Sequence, residues 1–86
     1  MSKIDELAEL IVGIADKIDE ATSASGDSAQ EAEQVGSTAA ALGAESVVEG
    51  MSEVKTQLDA LSDLLQGASQ KAREIKALAL SVAENG

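Results

Sequence analysis

The chain has 86 residues, 16 of them acidic and 6 basic, for a formal net charge of −10 and a pI near 4.1. It contains no His, Cys, Pro, Trp, Tyr or Phe. These counts allow one small domain, exclude a disulfide framework, argue against structural zinc, and oppose DNA, RNA and anionic lipid as partners.

Ser2 followed by Asp5 reads as a helix start, and the spacing predicts a first helix over residues 3–42. The opening run Met-Ser-Lys-Ile-Asp-Glu-Leu puts carboxylates where a signal peptide has basic and then apolar residues. The expected location is therefore the cytoplasm, or outside the cell by export without a cleaved signal peptide. Apolar runs such as Leu10-Ile11-Val12 and Ala77-Leu78-Ala79-Leu80 are far too short for a membrane span. From Ile4, alternate steps of three and four residues reach Leu7, Ile11, Ile14, Ile18, Ala21, Ser25, Ser28, Ala32, Val35, Ala39 and Leu42. Ser25 and Ser28 alone interrupt this apolar seam, which has the spacing of a coiled coil. Within it, Thr22–Ser28 is poor helix sequence, since Gly26 costs about 1 kcal/mol relative to Ala. Ser28 with Glu31 also has the pattern of a helix start, so the reading allows a kink at 23–28.

A turn is predicted at residues 43–46. Gly43 suits the left-handed position that ends a helix, and Ser46 with Glu49 reads as a capping box for the next one. The second helix is predicted over 47–84, with Asn85-Gly86 ending it. Its seam runs Val47, Met51, Val54, Leu58, Leu61, Leu65, Ala68, Ala72, Ile75, Ala79 and Val82, with no polar member.

So short a connection makes the two helices antiparallel neighbours. Folding the chain at 43–46 brings the two seams into one register, with layers Leu7/Val82, Ile11/Ala79, Ile14/Ile75, Ile18/Ala72, Ala21/Ala68, Ser25/Leu65, Ser28/Leu61, Ala32/Leu58, Val35/Val54, Ala39/Met51 and Leu42/Val47. Most large residues meet small ones, as a core of even width requires. The two serines fall opposite leucines, where their hydroxyls are expected to bond back to helix carbonyls. The expected fold is all-α: one antiparallel two-helix coiled-coil hairpin over residues 1–86, completed as a four-helix bundle by dimerisation.

Two flanks of that seam are candidate interfaces. One carries small residues, Ala8, Ala15, Thr22, Ala29 and Gly36 with Val48, Ser62, Ser69 and Ala83, which would let another helix come close. The other carries Leu10, Leu64 and Leu78, with Lys17 facing Lys71. The two lysines repel unless a carboxylate, such as one from a partner, sits between them. Residues 1–50 hold 11 acids and 2 bases, whereas 51–86 hold 5 and 4. The basic cluster Lys71, Arg73 and Lys76 folds back beside Asp16, Asp19 and Glu20.

No catalytic constellation emerges. Without His or Cys, the Ser and Lys residues form no recognisable nucleophile site. The pairs Asp16/Glu20 and Asp59/Asp63, and the ladder Glu45/Glu49/Glu53, fall on outward positions and read as a solvated face rather than a metal site. No cofactor, small-molecule substrate or enzymatic activity is expected.

An acidic chain that folds at its middle into a helical hairpin resembles the WXG family of type VII secretion proteins. The family's Trp-x-Gly turn falls on Ala41-Leu42-Gly43, which keeps the glycine and lacks the tryptophan. Its aromatic-xxx-acid export signal corresponds to Leu80-Ser-Val-Ala-Glu84, with leucine in the aromatic position. The nearer likeness is to small Ala-rich WXG-like hairpins of actinobacteria. The resemblance implies a helical dimer that is exported or escorts an exported partner. The expected function is a non-enzymatic helical protein–protein interaction module, with a homodimer or a helical heteromeric partner. The alternative is a cytosolic coiled-coil adaptor or scaffold unrelated to secretion.

Overall fold

A computed structural model describes residues 2–85. Two helices, α1 (Lys3–Ala41) and α2 (Glu45–Asn85), pack against each other as an antiparallel hairpin. The result is a rod with extents of 65 × 16 × 10 Å. Ser2 caps α1, its Oγ accepting a hydrogen bond from the Asp5 amide at 3.1 Å, which satisfies one orphan donor of the first turn. Helix α1 then runs unbroken through residues 23–28, so the allowed kink does not form. Ser25 is buried there against the partner helix, and that packing outweighs the weak propensity of its neighbours.

The turn is tighter than expected. Gly43 has φ +74°, the Gly43 amide donates to the Ala40 carbonyl (3.1 Å), and the Ala44 amide donates to the Ala39 carbonyl (2.9 Å). This paired pattern closes α1 with its last carbonyls satisfied. The Ala44 carbonyl in turn accepts from Val48 at 3.1 Å, so α2 begins at Glu45 and Ser46 lies inside it. The Ser46–Glu49 capping box is thus displaced by a backbone turn. At the other end α2 extends to Asn85, and the expected stop at Gly86 lies outside the described residues.

Half of the predicted seam is retained and half is exchanged. Ile11, Ser25, Ala32 and Ala39 are buried and Ile4 and Ile18 half-buried, facing Met51, Leu58, Leu65, Ala72 and Ala79. The alternating row is different from the one expected. Ala8, Ala15, Thr22, Ala29 and Gly36 turn inward on α1, with Val48, Lys55, Ser62, Ser69 and Lys76 on α2. Leu7, Ile14, Val35, Val47, Val54, Leu61, Ile75 and Val82, expected in the core, are exposed. Helix α1 is rotated so that its small residues meet α2, whose own inward row sets Ser62 and Ser69 among Val48, Lys55 and Lys76. The close fit is visible where a Cβ built on Gly36 would lie 3.5 Å from that of Met51, and where Ile11, Ala15 and Ala72 form one cluster with Ala79 against it. Thr22 fits the seam by donating its hydroxyl to the Ile18 carbonyl at 2.9 Å. Ser28 is exposed.

Candidate interaction face

The large apolar residues excluded from the seam share one side of the rod. On both helices most of these exposed residues immediately precede an inward-facing one: Leu7 before Ala8, Ile14 before Ala15, Val35 before Gly36, Val47 before Val48, Val54 before Lys55, Leu61 before Ser62 and Ile75 before Lys76. In an antiparallel pair, the same rotation away from the seam carries both rows to the same side of the hairpin. The turn end demonstrates it, because Val35, Leu42 and Val47 line one shallow groove together. Gly36, Val48 and Lys55 line another, on the opposite side.

Leu10, Leu64 and Leu78 widen this face. They are 69, 72 and 65% exposed, values that leave most of each side chain in water. The result is an apolar strip along the length of the rod, more continuous than the scattered exposed residues of an ordinary surface. Ile18, Leu58 and Leu65 sit between the strip and the seam and are only half-covered by the hairpin itself.

The candidate residues Ala8, Ala15, Ala29 and Gly36 have a different place from the one expected. They form an interface, but it lies within the chain, between α1 and α2, and of the four only Gly36 also borders a surface groove. Their small side chains allow the two backbones to approach, so burial is complete at Ala15 with 0% exposure. Of the small flank, Ala83 alone is exposed. Leu10, Lys17, Leu64, Lys71 and Leu78 all remain open on the outside.

Polar groups fix the hairpin at one level. The Asp19 carboxylate accepts from Ser69 Oγ and from Arg73 Nη2, both at 2.6 Å. The Ser69 hydrogen bond first, and then Arg73, hold the Asp19 carboxyl below its ordinary pKa against an opposing desolvation effect. The basic cluster does fold back toward the acids of α1, through this one pair. On α2, a hydrogen bond to Asp59 at 2.9 Å raises the pKa of Lys55. Lys71 lies 3.9 Å from Glu74, while Lys17 belongs to none of the four ion pairs among the described residues.

No group of three or more potential metal ligands is brought together among the described residues. No helix among them is long and apolar enough to cross a membrane. No family model matches the chain, and neither the curated proteins nor the solved structures contain a match to it.

Proposed function

We propose that the chain is a non-enzymatic helical interaction module that works through the apolar strip. The observation that carries this reading is a partial inversion of the usual core: small residues take much of the seam, and among the described residues twelve large hydrophobic residues are exposed. Among the described residues no large side chain is fully buried; the one completely enclosed residue is an alanine, Ala15. Burial of large apolar side chains supplies most of the stabilisation of a small domain, so this arrangement is favourable once a further layer covers the strip. A photo-reactive residue placed at Leu10 in the producing cell should form a protein adduct of defined mass. The same residue at Asp63, which is exposed on the opposite surface, should not. Equal labelling from both positions, or none from position 10, would contradict the reading.

Export in the manner of type VII hairpins is the narrower form of the proposal. It is supported by the antiparallel hairpin and by a glycine turn at Gly43. Accumulation in the culture supernatant of intact cells, lost on deleting the type VII secretion ATPase, tests it. Retention of all the protein inside the cell would favour an adaptor or scaffold instead.

A further inference from the structure

Resting on the interaction reading above, we infer that the strip is covered by a second copy of this chain, laid face to face with its turn at the opposite end. The area argues for a partner of this size. The hairpin exposes 6010 Å², whereas a folded chain of its mass typically exposes about 4,700 Å². The excess of roughly 1,300 Å² is larger than the ~800 Å² that each partner contributes to a standard interface. Ile18, Leu58 and Leu65, half-covered in the hairpin, become the central core when a second pair of helices is added above them.

The order of residues along the strip argues for self-pairing. A two-fold axis across the middle of the rod lays α1 antiparallel on α1 of the second copy. The outer row of α1 then pairs Leu7 with Leu42, Ile14 with Val35, and Ala21 with Ser28. Large residues meet large ones near the ends and small ones meet at the centre. On α2 the same operation pairs Val47 with Val82, Val54 with Ile75 and Leu61 with Ala68, so that near the axis a leucine faces an alanine. A face read the same way in both directions is self-complementary, as an isologous interface must be. A different protein would place no such demand on the order.

Charge selects the orientation. With the turns at opposite ends, Lys17 lies at the level of Glu31 of the second copy, and the pair occurs twice. Both side chains are exposed on the same edge of α1. With the turns together, Lys17 would lie over Lys71 of the second copy, gathering four ammonium groups at one level. The opposed arrangement thus supplies a carboxylate to Lys17, which belongs to no ion pair among the described residues.

Because the chain has no cysteine, a single Ser46→Cys change beside the turn can carry a spin label or a dye. In the full-length dimer the two labels should be about 55 Å apart, from 1.5 Å of rise per residue to the axis and back. A distance below about 25 Å would overturn the opposed arrangement, since turns at the same end bring the labels within a bundle width. Lys17→Glu should weaken dimerisation about tenfold, and Lys17→Glu with Glu31→Lys should restore it. Tighter association of Lys17→Glu would overturn the proposed pairing. A purified protein that stays monomeric overturns the second copy as occupant, while the position-10 adduct in cells separately tests the interaction reading itself.

Discussion

Ala15 is fully enclosed between the helices, whereas Ile14, one residue earlier, is 55% exposed. One residue turns an α-helix by about 100°, so the two side chains belong to different surfaces. The hairpin has placed the methyl group inside and the branched chain outside. Two long helices gain close backbone approach from this choice, and they leave their larger side chains for a second contact.

The two positions should therefore respond differently to substitution. Ala15→Leu forces a large side chain into a seam with no room and should cost about 1–3 kcal/mol, lowering the melting temperature at every protein concentration. Ile14→Ala removes apolar surface from the strip alone. Its melting should fall short of the parent's at high concentration and coincide with it on dilution below the dissociation range. Circular dichroism melts over a hundredfold range of concentration distinguish the two behaviours.

Glycines at the turn and within α1 should also respond with opposite signs. Gly43 holds φ +74°, so Gly43→Ala should destabilise the hairpin by about 1 kcal/mol. A Cβ at Gly26 meets no atom within 4 Å. Gly26→Ala should then stabilise by about 0.5–1 kcal/mol through helix propensity alone. Denaturant melts of both variants check the signs.

The helices, their antiparallel arrangement and the turn glycine were legible because each rests on local chemistry: a heptad spacing, a cap at Ser2, a residue free to adopt positive φ. The choice of row was not. Ile11, Ile18, Ala32 and Ala39 belong to a coiled-coil seam whether it is completed by Leu7, Ile14 and Val35 or by Ala8, Ala15 and Gly36. The expectation that large residues go inside selected the first set, and a hairpin alone buries the second. The three-residue signature that marked the small row as an inward face, Ala8, Ala15 and Ala29 at seven- and fourteen-residue spacing, was read as an outer docking flank. The Ser46 cap failed for a related reason: the Val47 and Val48 amides donate to the Ala44 carbonyl, so α2 starts before Ser46 and leaves it inside the first turn.

Asp19 offers a titration test. Its carboxyl pKa is lowered in the folded chain, first by Ser69 and then by Arg73. Its contribution to stability is therefore complete above the ordinary carboxylate range and is lost as the pH falls through the lower folded value. Carbon-detected NMR of the Asp19 carboxyl should give a midpoint below the ordinary carboxylate range. Ser69→Ala should move it upward. An unchanged midpoint in that variant would remove Ser69 as the principal cause.

Charges introduced on the strip should separate association from folding. Leu10→Glu with Leu78→Glu should leave the helical content of the hairpin intact and abolish assembly. Ala15→Gln with Ala29→Gln should instead open the seam and lower helical content, because both positions are buried between α1 and α2. Far-ultraviolet circular dichroism and sedimentation velocity on the two double variants read the two effects apart.

The central claim is that the strip of large residues is covered in solution by a second copy of the chain. Light scattering on the purified, unaltered protein at about 100 μM tests it directly, a concentration at which even a modest interface of this area is occupied. The account predicts a mass twice the 8.7 kDa of the chain. A mass of one chain, with the helical spectrum intact, would contradict it.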